Sequence, residues 1–439
     1  MQEPTMLVKT LLAHRLLVRL IPAAFLGLFV VAFVFTYVKF IPRRRSFSFD
    51  NLPLCDADAE PASVFDSDAS TTASGGRGHI RNFTVVLWTS YFNTRNHRSF
   101  DESPLDPKRC SFTNCAFVTD RDRVDDADAV VFHEADMSLA DMPTRRRTSR
   151  QRWVMFNQES PPNSVTLSPA YNGIFNWSMT YSRTADVVVP YFETCRQPNV
   201  TDGLGGYGTD DNNRNNNINE EDEVENNEND LSPTEEGRGG AGGGKKAWAA
   251  VWFVSNCRGP SNRMAYVEEL QNYIIVDIIG ACSPHNIQCP KANHKVCLDT
   301  FLPKYKFVLA FENSICADYV TEKLRNVLPY DVVPIFWGGV DYGAYLPRES
   351  FVVASDYPNP KDLARALYRF RSDELFRRTV AYRRGVLARP VDWKCRLCAK
   401  LNASGNETSV RHNLYQATHR SGRCKVWRRG HFLEQFPPR

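Results

Sequence analysis

The segment FENSICADYVTEKL at residues 311–324 decides the fold, together with KYKFVLA at residues 304–310 directly before it. The preceding segment contains an uncharged apolar run, typical of a strand that is buried on both faces. Polar and charged side chains then follow within twelve positions, beginning where this strand is predicted to end. Such a cluster is either a solvated helix start or a binding site, because parallel α/β sheets bind ligands beyond the carboxyl ends of their strands.

The apolar spacing in this segment predicts a helix that begins at Asp318 and packs one face on the sheet. Tyr319, Glu322 and Lys323 are three and four residues apart, so they are expected to share another face. A helix start offers free backbone N–H groups and a positive dipole end. A lysine and a phenol at that point would suit a diphosphate. The alternative is a capped helix with a Glu–Lys pair on the protein surface.

Short apolar runs alternate with polar connections on both sides of a low-complexity segment. The runs before it predict the strands FTVVLW, CAFVTD, ADAVVFHEAD, RWVMFNQES and ADVVVPYF. The runs after it predict the strands AVWFVS, IIVDIIGA, KFVLAF, VVPIFWG and FVVAS, with SNRMAYVEELQNYI, DYVTEKLRNVL and PKDLARALYRFR as helices between them. These two blocks predict an α/β fold of two doubly wound, Rossmann-like domains that face a cleft.

Residues 201–246 form an insertion of Asn, Asp, Glu and Gly that we predict to be a disordered linker. Twelve acidic residues and one arginine lie between Thr201 and Glu236, so the net charge of +4 conceals a strongly basic remainder. A basic body favours an anionic ligand or surface. No basic run is interleaved with aromatic residues, which argues against nucleic acid as a partner.

The nineteen residues from Leu20 to Val38 carry no charge, which is enough to cross a bilayer of about 30 Å. A cleaved signal peptide is the alternative, but its apolar region is usually shorter and is followed by small residues at the cleavage site. We therefore expect a cytoplasmic tail at residues 1–19, a transmembrane signal-anchor at 20–38 and a stem at 39–81. The charges that flank the span leave its orientation ambiguous.

Twelve cysteines and five N-x-S/T sequons follow this span, and together they favour an oxidising lumen. Cys395 and Cys398 in WKCRLCAK are candidates for disulfides, since no second cysteine pair has the spacing that a zinc site needs. A redox motif is a further alternative for this pair, and Cys316 is a candidate for an unpaired thiol. The predicted glycosylation sites are Asn82, Asn176, Asn199, Asn402 and Asn406.

Several segments together resemble the α1,3/α1,4-fucosyltransferases, which use GDP-L-fucose. They include FENSICADYVTEKL, the VPIFWGG that follows it, VMFNQESPPN, FNWSMTYSRTADVVVPY and WFVSNCRGPSNRMAYVEEL, in the order expected for that family. The resemblance covers residues 82–430 except the acidic insertion. The segment WKCRLCAKLN is similar to the invertebrate and plant branch, which includes core α1,3-fucosyltransferases that act on N-glycans.

The resemblance implies a glycosyltransferase-B fold, with an acceptor-binding domain at residues 82–200 and a GDP-fucose-binding domain at 247–439. It also implies an inverting reaction in which Glu159 is the catalytic base that removes the proton of the acceptor hydroxyl. A carboxylate that caps a turn is the alternative for Glu159. The donor-binding residues that the resemblance implies are Arg263, Tyr319 and Lys323 on the diphosphate, Glu322 on ribose or fucose hydroxyls, Glu312 and Asn313 lining the pocket, and Asn256 in support.

The resemblance implies chemistry without a metal or a further cofactor, because fixed cations stabilise the charge of the leaving diphosphate. Asp126 and Asp128 form a D-x-D pattern, but they open a predicted strand of the acceptor domain and are expected to be a solvated edge. Arg183 lies in the acceptor-domain motif at a position shifted by one residue from the family pattern, which leaves its role open.

We expect a single-pass type II protein of the Golgi membrane with a lumenal catalytic domain, acting on N-glycan or lactosamine-type acceptors. Association as a homodimer through the span is left open. A second hypothesis is a catalytically silent Golgi protein of the same fold that binds glycan or nucleotide. The residues that favour the enzyme over this alternative are Glu159, Arg263, Glu322 and Lys323.

Overall fold

The computed structural model describes ten stretches of the chain, all within the compact unit Phe47–Arg439. The predicted tail, transmembrane span, acidic insertion and most of the stem lie outside the described residues, as do Asn199 and Asn406. No helix in the described part of the chain is long and apolar enough to cross a membrane. The described residues are 52–55, 81–95, 97, 100–144, 148–164, 169–197, 246–290, 294–404, 423–428 and 430–435.

The first half of the protein is a parallel sheet of six strands. The apolar runs predicted to be strands form its centre, and β3, β4 and β5 are buried along their whole length. The strand order is β2-β1-β3-β4-β5-β6, and the carboxyl ends of these strands meet at one edge. The strands are β1 (Phe83–Leu87), β2 (Cys115–Val118), β3 (Ala129–His133), β4 (Arg152–Asn157), β5 (Trp177–Thr180) and β6 (Val187–Val188).

A second parallel sheet lies in the carboxyl-terminal half, in the order β13-β12-β10-β8-β9. Helices connect its strands, as the alternating pattern predicted. Its strands are β8 (Ala247–Phe253), β9 (Val276–Ile279), β10 (Tyr305–Phe311), β12 (Val333–Trp337) and β13 (Val352–Val353). The helices are α1 (Arg263–Leu270), α2 (His294–Phe301), α3 (Glu322–Val327), α4 (Pro360–Tyr368), α5 (Asp373–Ala381) and α6 (Trp393–Ala403).

Two smaller sheets complete the architecture. One joins β7 (Phe192–Arg196) to β14 (Val386–Pro390) in an antiparallel pair. The other has the order β11-β15-β16, and it attaches the hairpin near the carboxyl terminus to the segment that follows β10. Its strands are β11 (Ile315–Cys316), β15 (Cys424–Arg428) and β16 (His431–Gln435).

Helix α6 packs on the first sheet, although sequence reasoning placed it in the carboxyl-terminal domain. Trp393 and Leu397 belong to the apolar core that also contains Val85, Phe117 and Val154 of the first sheet. Burying such large side chains stabilises the fold by about 1.5–3 kcal/mol each. The core of the first sheet is therefore completed by residues from the far end of the chain.

All twelve cysteines are paired. Cys395 and Cys398 are confirmed as disulfide cysteines, and each bonds a cysteine of the first sheet region rather than the other. The expectation of an unpaired Cys316 is wrong, since Cys316 bonds Cys424. The six disulfides are Cys55–Cys195, Cys110–Cys395, Cys115–Cys398, Cys257–Cys282, Cys289–Cys297 and Cys316–Cys424.

The predicted glycosylation sites differ in their accessibility. Asn82 is exposed. Asn176 is only 4% exposed, and its Oδ1 accepts a hydrogen bond from the Trp153 N–H at 2.9 Å. The structure therefore contradicts a glycan at Asn176, because the sugar would have to enter the packed core. At Asn402, the Nδ2 atom donates to the Cys398 carbonyl at 2.9 Å and to Asn114 Oδ1 at 3.1 Å, so a glycan there would have to displace a hydrogen bond.

Candidate active site

Glu312, the first residue after β10, is the centre of the polar cluster that follows this strand. It is 1% exposed. Its Oε1 accepts from the Thr321 N–H at 2.8 Å, and its Oε2 accepts from Thr321 Oγ1 at 2.8 Å and from Lys323 Nζ at 2.9 Å. Glu312 was predicted to line the donor pocket. In the structure its carboxylate fixes the segment that carries Lys323, and the pocket-lining role of Glu312 stays a prediction.

The predicted helix start at Asp318 is wrong, because α3 begins at Glu322. Asp318 has a left-handed backbone with φ of 60°, and β11 before it pairs with β15. The Glu312 carboxylate accepts a hydrogen bond from the Thr321 N–H, which would lie in the first turn of a helix that began at Asp318. Tyr319 therefore lies before the helix and does not share a helical face with Glu322 and Lys323.

Lys323 provides a positive charge that is partly accessible. Its side chain is 26% exposed, and its Nζ lies 3.6 Å from Glu322 Oε1. Burial alone would lower the pKa of Lys323, but the charges of Glu312 and Glu322 outweigh burial and raise it. Burial alone would likewise raise the pKa of Glu322. The positive charge of Lys323 is the largest of the effects that oppose burial, and together they lower this pKa. Both side chains are therefore charged at neutral pH.

Arg263, at the start of α1, ties together the ends of two strands of the second sheet. Its Nη1 donates to the Phe311 carbonyl at 2.6 Å and its Nη2 to the Asn256 carbonyl at 3.0 Å. The residue is 4% exposed, and burial lowers its pKa against the opposing charge of Glu312. Among the described residues, no hydrogen-bond partner meets its Nε atom. The structure thus gives Arg263 a bracing role beside the site, with the exposed Asn256 next to it.

Asn313 and Tyr319 lie where the two halves of the molecule meet. The Tyr319 hydroxyl donates to Asn313 Oδ1 at 3.1 Å. The Tyr319 ring packs against Tyr181 and Tyr191 of the first half, with ring centroids 5.0 and 6.1 Å away. Tyr319 is 2% exposed, and burial is the main cause of its raised pKa. Tyr319 is a junction residue in this structure rather than an open phenol.

Glu159, the predicted base, lies in the loop after β4 and is partly exposed. Its backbone N–H donates to Asn157 Oδ1 at 2.7 Å. Burial is the main cause of the raised pKa values of Tyr181, Tyr191 and Tyr319, and the charge of Glu159 contributes to each of them. Glu159 is therefore close enough to act electrostatically on the junction at Tyr319.

A direct contact joins the loop of Glu159 to the segment that follows β10. The Ser160 hydroxyl donates to Ser314 Oγ at 2.6 Å, and Asn163 Nδ2 donates to the same oxygen at 3.2 Å. Ser160 and Ser314 are each at most 1% exposed. This contact between residues 154 positions apart in the chain brings the loop of Glu159 next to the segment that contains Asn313.

Sequence reasoning missed Glu134, a second carboxyl group at this edge. It follows β3 directly, is 1% exposed, and accepts a hydrogen bond from Asn157 Nδ2 at 2.6 Å. Burial raises the pKa of Glu134 to about 8. The signal was present in the sequence, because Glu134 follows its strand as Glu159 follows the neighbouring parallel strand.

Two residues with open roles are placed by the structure. The Arg183 N–H donates to Asp318 Oδ2 at 3.2 Å, and the Arg183 Nε atom lies 3.4 Å from Asp318 Oδ1. Asp128 lies at the start of β3, away from the end that carries Glu134, and binds Arg81 and the Thr84 N–H. Within the described stretches, no group of three or more His, Cys, Asp or Glu side chains has a geometry that could hold a metal ion.

Comparison with known proteins is consistent with this geometry. The family model "Fucosyltransferase, N-terminal" matches residues 81–192, and "Glycosyltransferase family 10 (fucosyltransferase) C-term" matches residues 244–417. The human 4-galactosyl-N-acetylglucosaminide 3-alpha-L-fucosyltransferase FUT5 is 30% identical over 344 residues, which span 74% of this chain and 78% of that protein. This chain belongs to glycosyltransferase family 10. It is a glycosyltransferase, and the resemblance seen in its motifs is confirmed.

Other known proteins match over similar spans. Mouse alpha-(1,3)-fucosyltransferase 4 is 29% identical over 377 residues, or 75% of this chain and 78% of that protein. GDP-fucose protein O-fucosyltransferase 3 of Xenopus laevis is 29% identical over 316 residues, or 69% of this chain and 59% of that protein. A crystal structure of an α1,3-fucosyltransferase with GDP-fucose matches with a TM-score of 0.44 and 16% identity, covering 78% of this chain and 96% of that chain.

Proposed function

We propose that this family 10 enzyme is an inverting α1,3-fucosyltransferase that moves L-fucose from GDP-fucose to a GlcNAc hydroxyl of glycoprotein glycans. The observation that carries the proposal is the 2.6 Å contact between Ser160 and Ser314. It brings the loop of Glu159 against the segment that leads to Lys323, which supports a reaction in which Glu159 acts as the base and Lys323 as the cation. Relatives named as α1,3-fucosyltransferases and as a GDP-fucose-dependent transferase support the linkage and the donor.

The proposed reaction is a single displacement at the anomeric carbon of fucose. The acceptor oxygen forms a bond to C1 while the bond from C1 to the diphosphate oxygen breaks, and GDP leaves with the electron pair. Glu159 takes the proton of the acceptor hydroxyl, as a general base does in related sugar chemistry. Attack from the face opposite to GDP inverts the configuration at C1.

Positive charge beside the leaving group is the second requirement. The Lys323 ammonium is fixed by Glu312 and Thr321 at 2.9 and 2.7 Å, so it needs no reorganisation as the diphosphate gains charge. We propose that Lys323 contacts the diphosphate directly, that Glu322 binds ribose or fucose hydroxyls, and that Arg263 holds the surrounding strand ends in place. GDP-fucose is then the one small molecule that the reaction needs.

The decisive assay incubates the purified full-length chain with GDP-fucose and one of three acceptors: an N-glycan, a lactosamine oligosaccharide or an unmodified protein. We expect fucose on GlcNAc in α1,3 linkage, mapped by mass spectrometry and linkage-specific digestion. Fucose on a protein hydroxyl would support the activity named for the Xenopus relative instead. Absence of transfer to every acceptor would refute the proposal. Retention of activity in Glu159→Gln would refute the base.

We also propose a Golgi location with a lumenal catalytic domain, supported by the sequon at the exposed Asn82 and by six disulfides, which persist in oxidising compartments. Imaging of the tagged protein with organelle markers tests the location. Protection of a carboxyl-terminal tag from protease in intact vesicles tests the orientation. Cleavage of the tag without detergent would contradict it.

A further inference from the structure

The loop after β1 has an exposed aromatic side chain on an unusual backbone. Phe92 is 49% exposed, and Phe92 and Asn93 have φ values of 49° and 60°. Residues with bulky side chains rarely adopt this left-handed region, and those that do cluster at functional sites where the surrounding structure fixes them. The core gains little from a ring that remains half in solvent.

One carboxylate, Asp136, holds this loop in place. Its oxygens accept hydrogen bonds from the Phe92 N–H at 2.8 Å, the Asn93 N–H at 2.6 Å and the Ser90 hydroxyl at 2.7 Å. His133 Nδ1 lies 2.5 Å from the same carboxylate. Burial alone would raise the pKa of Asp136, but these hydrogen bonds outweigh burial and lower it. The loop is therefore fixed in one conformation by an ionised anchor.

The Phe92 ring stands on other aromatic rings. It meets Tyr91 and His133 edge-on, with ring centroids 4.9 and 4.6 Å away. Tyr91 in turn stacks on Phe100 with centroids 5.8 Å apart. Rings in this arrangement stabilise one another. Phe92 is therefore held by its contacts with Tyr91 and His133, while about half of its surface stays accessible.

Phe92, Tyr91, His133 and Phe100 form an aromatic platform, which lies at the carboxyl-terminal edge of the first sheet. β1 pairs with β3 and β3 pairs with β4, all parallel, so their carboxyl ends share one edge. Two strand spacings, about 10 Å, separate the strand of the platform from the strand that leads to Glu159. Burial is the main cause of the raised pKa of Tyr91, and the charge of Glu159 is the second cause. The platform thus lies at the same edge of the first sheet as the loop of Glu159.

We propose that Phe92 is an acceptor subsite whose exposed ring stacks on the C–H face of a pyranose next to the sugar that receives fucose. The inference rests on the proposed function, since it assigns the second sugar of the same acceptor. The C–H face of a pyranose is apolar enough to pack on an aromatic ring, and binding sites combine such surfaces with a few polar groups. Asn93, exposed beside the ring, supplies an amide for a sugar hydroxyl.

The test compares Phe92→Ala with the wild type in the purified full-length enzyme. Acceptors are methyl glycosides of GlcNAc, of N-acetyllactosamine and of chitobiose. We expect the KM for at least one disaccharide to rise about five- to tenfold, while the KM values for the monosaccharide and GDP-fucose stay unchanged. Phe92→Trp should retain disaccharide selectivity. Phe112→Ala serves as the matched control, because Phe112 is 42% exposed near the start of β2.

Two kinetic results would overturn the proposal. One is an unchanged KM of Phe92→Ala for both disaccharides. The other is an equal rise for monosaccharide and disaccharide, which would indicate a general disturbance of the loop. Saturation-transfer NMR of the same glycosides separates this proposal from the proposed function, because it measures binding without fucose transfer. Loss of the disaccharide signal in Phe92→Ala supports the subsite even if no transfer occurs, and an equal or absent signal in both proteins refutes it.

Discussion

Glu134 should make the stability of this enzyme fall as pH rises through neutrality. In the unfolded chain a glutamate ionises near 4.5, whereas burial raises the pKa of Glu134 to about 8 in the fold. Between these values the folded protein holds one more proton than the unfolded chain. The contribution of the neutral carboxyl is therefore complete below about pH 4.5 and is lost as pH rises to about 8.

The magnitude follows from the size of this shift. Each pH unit within the window is worth about 1.4 kcal/mol, so from pH 5 to pH 8 the wild type should lose about 3 to 4 kcal/mol relative to a variant that cannot ionise. Glu134→Gln is that variant, because an amide oxygen can still accept the 2.6 Å hydrogen bond from Asn157. It should also retain near-normal activity, since Asn157 stays oriented toward the backbone of Glu159.

Urea unfolding at several pH values, followed by tryptophan fluorescence with disulfides intact, gives the free energy of unfolding of both proteins. The difference between wild type and Glu134→Gln should be small at pH 5 and large at pH 8. Glu102→Gln is the matched control, because hydrogen bonds from Thr119 lower the pKa of that exposed carboxyl. A difference between Glu134→Gln and wild type that stays constant from pH 5 to pH 8 would refute the reasoning.

Three further predictions concern the cation, a disulfide and the contact at the junction. Lys323→Met should lower kcat about 100-fold through lost stabilisation of the leaving diphosphate; an unchanged kcat in the fucosyl-transfer assay would exclude that role. Replacing Cys115 and Cys398 together by serine should cost about 2–5 kcal/mol, measured as lower thermal stability, whereas an unaltered Tm would show that α6 docks without this bond. A double-mutant cycle of unfolding with Arg183→Ala and Asp318→Ala should give a coupling energy below about 1 kcal/mol. The reason is that the two side chains are 44% and 27% exposed, and exposed ion pairs stabilise proteins only weakly. A coupling energy above about 2 kcal/mol would contradict a weak surface pair.

The strands were predictable because a strand that is buried on both faces has an unbroken run of apolar residues. The central runs AVVF of β3 and WVMF of β4 are apolar on both faces, which is the pattern of a parallel strand covered on each side. The site at the strand ends was predictable for a related reason. Parallel strands end at a common edge, so Glu159 and Glu312 could be assigned to strand ends before any contact was known.

The conformation between β10 and α3 was not predictable from local pattern. The apolar spacing after Asp318 fits a helix, but the left-handed turn at this residue adjoins a segment tied to Cys424 more than one hundred residues later. The burial of Asn176 is a similar case, because its sequon reads as surface while its side chain bonds Trp153 on the neighbouring strand. Both features depend on tertiary contacts that override local preference.

The docking of α6 on the first sheet constrains how the protein is made. The first sheet is synthesised early, yet part of its core is Trp393 and Leu397, and two of its cysteines wait for partners 285 and 283 residues later. The amino-terminal half therefore cannot close while the rest is still on the ribosome. A premature stop shortly before α6 would leave the first sheet with an open apolar face and would leave Cys110 and Cys115 without their disulfide partners, so such truncated chains should misfold rather than persist as partial enzymes.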